Sequence, residues 1–214
     1  MADVHTEAVI ESRWGGGVAP YATGSKKLGM WLFIVSDSLT FSALLMAYSY
    51  LRLATPNWPT PFPFHPAVTY ATVMTFCLLS SSLTMVMAVS AAHRHDHRRT
   101  VWWLLATIAG GLAFVGLHTR EWFHLIHEGL RPWHTPWPEW PDTPLFGSTF
   151  FGLTGMHMLH VIIGVIYLGI IALGFGTKKF SSEDVEVSGL YWHFVDLVWM
   201  FIFPLVYLMS VKIG

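Results

Sequence analysis

Cysteine is nearly absent: the 214 residues hold one, Cys77, in an apolar run between Phe76 and Leu78. A lone thiol closes no intrachain disulfide and builds no thiolate metal cage, so Cys77 reads as a small buried hydrophobe. Charge is scarce as well. Asp, Glu, Lys and Arg make up 12% of the chain, about half the usual share of a soluble domain. The net charge of −1 gives nucleic acid no electrostatic footprint to bind. The opening stretch MADVHTEAVIESRWGGGVAPYATGSKK carries Asp3, Glu7 and Glu11 and lacks an apolar core, so it does not read as a secretory signal peptide. Residues 1–27 are expected to form a polar tail with a hinge at Gly15–Gly17, and the first spanning segment then acts as its own insertion signal. No repeat of fixed period and no low-complexity tract is present.

What the chain has instead is apolar surface, 53% of its residues, gathered into long runs. A helix needs roughly 20 mainly apolar residues to cross the hydrocarbon core. Five segments qualify: Leu28–Leu51, Ala67–Ala92, Val101–Leu117 with a polar continuation HTREWFHLI to residue 126, Leu145–Phe175, and Gly189–Val211. Backbone groups in lipid must be paired within their own segment, so these are helices. The reading is an all-α polytopic membrane protein, with a five-transmembrane-helix bundle over residues 28–214. The connectors agree. ATPNWPTPFPFHP is too rich in proline to continue a helix. HRHDHRR and GTKKFSSEDVEVS read as polar turns, and GLRPWHTPWPEWPDTP has the Trp and Pro content of an ordered loop at headgroup level.

An odd number of spans puts the termini on opposite sides. Eight of the 12 Lys and Arg residues, Arg13, Lys26, Lys27, Arg94, Arg98, Arg99, Lys178 and Lys179, then share one side. By the positive-inside rule that side is cytoplasmic, with the N-terminus there and the C-terminus and Trp-rich loop outside.

Ionisable groups in a bilayer are costly and turn toward the bundle interior or a partner. Asp37 lies nine residues past Leu28, about 14 Å deep at about 1.5 Å per residue. His157, on a helix running the opposite way, lies about 18 Å from its outer end by the same rise. Asp37 is therefore expected to meet His157 or His160 near mid-membrane. His193 and Asp196, three apart in YWHFVDLVW, are neighbours on one helix face and read as scaffold or phospholipid-headgroup contacts. Arg120, Glu121, His124, His127 and Glu128 close the third helix at the outer surface, where Arg120 or Glu121 can reach water. His93, His95 and His97 read as a solvated patch near anionic lipid rather than a metal site.

Two histidines three apart also raise the question of a metal or haem. Zinc or iron would need further ligands at matching depth, and a bis-histidine haem needs them on facing helices. By residue counting, His118 falls near the outer end of its helix and His193 in the inner half of the last one, so neither matches His157. Asp37 carries two readings, an inter-helix bond and a proton-linked role, since intramembrane carboxylates are functional candidates by default.

At these residues a family resemblance becomes close. FGSTFFGLTGMHMLHVIIG and YWHFVDLVWMFIFPLVYLM resemble the signature helices of subunit III of the haem–copper oxygen reductases. GMWLFIVSDSLTFSALLMAYSYLR resembles the first helix of that family's five-helix core, and GLAFVGLHTREWFHLI its third, with Glu121 in place. The resemblance runs from Leu28 to Val211 with helices in matching order. It implies a subunit without haem, copper or another metal of its own, packed against the catalytic subunit I, which holds the haem and copper, reduces oxygen and pumps protons in a bacterial inner (cytoplasmic) membrane. It further implies support of proton uptake and bound phospholipid, with His157 and His160 as hydrogen-bonding residues rather than ligands. SDSLTF and VYLM resemble the quinol-oxidase members, whereas STFF…HVIIG resembles the cytochrome c oxidase members, many of which have Glu at the position of Asp37. The electron donor stays open. Long members carry two further N-terminal helices that build a lipid cleft, and no match to them is found here.

Ser148 and Gly152 stand at small-xxx-small spacing, with Gly155 following, and allow close helix approach within the chain or to a partner. The alternatives to an oxidase subunit are the related accessory protein of a nitric oxide reductase, a membrane cytochrome b using the histidines as axial ligands, and a proton-coupled transporter. No broken-helix pair or inverted repeat supports the last.

Overall fold

The computed structural model describes residues 24–140, 143 and 145–211; most of the expected polar tail, with its Gly15–Gly17 hinge, lies outside them. Five helices are long and apolar enough to cross a membrane, and no extended strand occurs among the described residues. They are α1 (Ser25–Ala54), α2 (Thr69–His93), α3 (His97–His127), α4 (Leu145–Gly176) and α5 (Ser182–Ile202). Large apolar side chains such as Leu32, Leu39, Leu83, Ile166 and Leu173 cover the outside, as a lipid-facing surface requires.

The packing follows from spacing. Along α3 the buried residues are Thr100, Leu104, Thr107, Gly111, Phe114, His118, Glu121 and Leu125, an unbroken alternation of four and three. That repeat averages 3.5 residues and keeps one seam facing neighbouring helices, as in left-handed bundles. α2 repeats it through Ala71, Met74, Leu78, Ser81, Met85, Ala88 and Ala92. α4 shows it from Phe146 through Phe150, Leu153, His157, His160 and Gly164. The polar residues of α3 and α4 therefore sit on core seams. Trp192 of α5 fits where α3 and α4 present glycine: a Cβ on Gly164 would lie 2.9 Å from its Cζ3 and one on Gly111 2.5 Å from its Cη2.

α1 is attached differently. Its buried residues are Ile34, Phe41 and Tyr48, one per seven, so a thin stripe meets α4 and α5. Polar clasps hold both ends. Lys26 pairs with Asp184 at 2.6 Å and Lys27 with Glu186 at 2.5 Å. At the other end Arg52 donates to Ser210 Oγ at 2.9 Å and to the Met209 carbonyl, and Tyr48 Oη lies 3.2 Å from Ser210 Oγ.

Several expected boundaries move. α5 starts at Ser182 rather than Gly189, because SSED forms a capping box: Ser181 N–H donates to Asp184 Oδ2 at 2.8 Å, and two orphan donors of the first turn are satisfied. Much of the stretch read as a polar turn is thus helix. At its far end Pro204 has no N–H to give, so α5 widens into a π-type turn at Phe203–Tyr207 and tightens again at Leu208–Ser210. α3 begins four residues early and runs to His127. The proline-rich connector contains a helical turn at Phe64–Val68 leading into α2. His93 and His95 are exposed, as read, but His97 is only partly exposed and its ring packs on Phe175 at 4.7 Å. In the Trp-rich loop, Trp137 packs edge-on against Trp140 and Phe146, while Trp133 is exposed.

Candidate functional site

The bundle gathers its buried histidines and carboxylates into three places along one interior. At mid-helix, His160 Nε2 stands 3.2 Å from Asp37 Oδ2, so of the two candidates it is His160 that meets the carboxylate. The other ring nitrogen, Nδ1, lies 2.8 Å from the Met156 carbonyl. A carbonyl only accepts, so Nδ1 carries its hydrogen, and a neutral ring then turns a bare Nε2 toward Asp37. Phe41 packs its ring against His160 at 5.1 Å, and Tyr191 Oη donates to the His160 carbonyl at 3.0 Å.

One turn away on α4, His157 is fully buried among rings. Trp199 stacks on it at 5.0 Å and Phe114 meets it edge-on at 5.6 Å. His118 touches the same two rings, each at 5.6 Å. This corrects the depth reading. The third helix ends at His127, close to the residue 126 expected, and His118 is two and a half turns inside it, about 14 Å from that end, beside the same rings as His157. Both nitrogens of both imidazoles lack a hydrogen-bond partner. The four rings pack on one another, with Phe114 and Trp199 centroids 4.8 Å apart, and leave no gap for a porphyrin plane.

Glu121 follows on the α3 seam. It is 8% exposed and faces inward. Of Arg120 and Glu121, either of which could reach water on the sequence reading, Arg120 is the exposed one, while Glu121 also reads, with Asp37, His157 and His160, as a proton-linked or inter-helix polar residue. Tyr207 Oη donates to its Oε2 at 2.7 Å, and His118 Nδ1 is 3.6 Å from the same oxygen. Arg120 instead lies over the Tyr70 ring, 5.8 Å from its centroid. Glu121, Arg120, Tyr70, His124 and Glu128 border a cavity of about 400 Å³ at the Trp-rich-loop end of the bundle.

The third place joins α2 and α5. Ser82 Oγ lies 2.6 Å from His193 Nδ1, and Asp196, 8% exposed, keeps Oδ1 buried and unpaired. His193 and Asp196 do share a face, but it is Ser82, invisible as a partner in the sequence, that ties them to α2. Among the described residues, no three His, Cys, Asp or Glu side chains converge where they could hold a metal ion.

The family model described as cytochrome c oxidase subunit III matches residues 1–211. The chain belongs to the cytochrome c oxidase subunit III family. Among its relatives is cytochrome c oxidase subunit 3 of Alkalihalophilus pseudofirmus, 32% identical over 190 residues, covering 87% of this chain and 88% of that one. Quinol oxidase subunit 3 of Bacillus subtilis is 35% identical over 186 residues, 86% of each chain. Cytochrome bo(3) ubiquinol oxidase subunit 3 of Pseudomonas aeruginosa is 32% identical over 190 residues, 87% of this chain and 86% of that one. Membership with five spanning helices makes this a multi-pass membrane protein of the haem–copper oxidase class of the respiratory chain. Cytochrome c and quinol enzymes both stand among the relatives at similar identity, so likeness does not choose the electron donor. The relatives named are oxidase subunits, which gives no support to the nitric oxide reductase reading.

Proposed function

We propose that the chain is a non-redox accessory subunit of a haem–copper terminal oxidase in a bacterial cytoplasmic membrane, packed against catalytic subunit I. It stabilises that subunit and supports proton uptake during oxygen reduction. The haem and copper reside in partner subunits, and phospholipid fills the remaining grooves. The observation that carries the proton-linked part is the Asp37–His160 pair: it sits at mid-helix with side chains only 12% and 9% exposed. Ionisable pairs at that depth are expensive to keep without a task. The scaffold part is supported by the Glu121–Tyr207 and Ser82–His193 bonds, which tie α3 and α2 to the last helix and its extension.

Docking to a larger partner is supported by α4. A Cβ on Gly152 or Gly169 would meet nothing within 4 Å, so neither glycine serves a crossing inside this chain. Small residues on an outward helix face allow another helix to approach closely. Gly155, by contrast, is used internally, with Trp122 Cη2 3.0 Å from where its Cβ would be.

The test is Asp37→Asn in the assembled oxidase, a change that keeps shape and removes the acid. Assembly is expected to survive while turnover becomes slower or shorter-lived. A variant complex that pumps and lasts like its parent would remove the proton-linked role and leave the scaffold.

A further inference from the structure

Four buried imidazole nitrogens without a partner, two on His118 and two on His157, are unusual in any protein interior. In a membrane bundle they are more so, since lipid supplies no alternative donor or acceptor. A neutral imidazole carries one N–H and one bare nitrogen, so each ring offers both a donor and an acceptor to the same small region. The rings are held in place: His118 lies nearly parallel to Phe114, with 10° between planes, and Trp199 covers His157. Trp199 itself is pinned by its indole N–H, which donates to Thr75 Oγ1 at 2.9 Å. Neither histidine has a hydroxyl or carbonyl in reach to satisfy it.

The next polar group toward the loop end is the Glu121 carboxylate. Its separation from His118 Nδ1, 3.6 Å, is beyond a direct hydrogen bond and is the range in which a bridging water belongs. Glu121 also borders the 400 Å³ cavity. Glu121 thus stands between that cavity and His118, and His118 and His157 share the rings of Phe114 and Trp199.

We propose that these groups form a water-binding site: ordered water held by the imidazoles of His118 and His157 and by Glu121, the member of the set that borders the cavity at the loop end. Two or more polar partners per molecule are what internal water requires, and the two rings and the carboxylate supply them. The site goes beyond the accessory role and does not depend on it. It places water at the level of His157, one helical turn from the Asp37–His160 pair.

Water-edited solid-state NMR on the full-length chain, labelled with 15N,13C-histidine in phosphatidylcholine–phosphatidylglycerol bilayers, reads this directly. The ring nitrogens of His118 and His157, identified by the signals lost in His118→Asn and His157→Asn, are expected to gain polarisation from water on the timescale of exposed His124. His118→Phe fills the site with a ring that binds no water, and should slow transfer to His157 several-fold while leaving His124 unchanged. Polarisation reaching His118 or His157 of the parent protein only by slow relay through the protein would show a dry interior and overturn the proposal. So would His157 transfer that is indifferent to His118→Phe. If that variant does not fold, the parent spectrum decides alone.

Discussion

Trp192 is the largest side chain at the junction of three helices, and glycine faces it from two of them. The perturbation that tests this is Gly164→Ala. Its methyl would stand 2.9 Å and 3.0 Å from Trp192 Cζ3 and Cε3 and 3.1 Å from Tyr191 Cε1, closer than packed carbon atoms sit. The indole cannot step aside. Gly111 lies against its other edge, and its N–H is tied to Ser81 Oγ at 3.1 Å. Overpacking a tight core by one methyl costs about 1–3 kcal/mol, while replacing a helical glycine with alanine returns about 0.5–1 kcal/mol. The net expectation is a loss of about 0–2.5 kcal/mol, centred on about 1 kcal/mol, on those two magnitudes. The assay is reversible unfolding of the chain by SDS titrated into mild detergent, followed by far-UV circular dichroism. Gly169→Ala on the same helix is the control, since its methyl meets nothing within 4 Å and should cost nothing. In a Trp192→Phe background the smaller ring relieves the contact, so Gly164→Ala should lose its cost and show the helical gain of about 0.5–1 kcal/mol, and the difference is the coupling energy. Equal stabilities of Gly164→Ala and Gly169→Ala would refute the reasoning.

Two further outcomes follow from the site. Tyr207→Phe removes the 2.7 Å bond to Glu121 and leaves a buried carboxylate oxygen short of its donor, a loss of about 1–3 kcal/mol; unchanged unfolding would mean that Glu121 finds its donor elsewhere. Gly152→Leu places a large side chain where this chain has open space. The isolated subunit should unfold as before, while the amount co-purifying with the other oxidase subunits falls; full assembly would show that the outward face of α4 is not the docking face.

The five spans were legible because a bilayer leaves a long apolar run only one way to pair its backbone. The Asp37 meeting was legible too, since a rise per residue turns sequence position into depth. The same arithmetic failed for His118 because it counted depth from the end of the apolar run at Leu117, although the polar continuation HTREWFHLI, read as far as residue 126, is helix and α3 ends at His127. The alternation of fours and threes from Thr100 to Leu125 already held the answer, because His118 and Glu121 both fall on it. The early start of α5 had its signal as well, in the spacing of Ser181 and Asp184. Tyr207 opposite Glu121 and Ser82 opposite His193 had none. Those pairs join residues 86 and 111 positions apart, and only the rotation of one packed helix against another decides which side chains face each other.

The clasps on α1 set an order of events during synthesis. Every polar partner that pins its ends, Asp184, Glu186, Met209 and Ser210, belongs to the last thirty-one residues of the chain. The first helix to enter the membrane is thus the last to be locked. Asp37 likewise has no His160 to meet until α4 has followed it. The fold closes like a ring binder, its first leaf fastened only when the last is in.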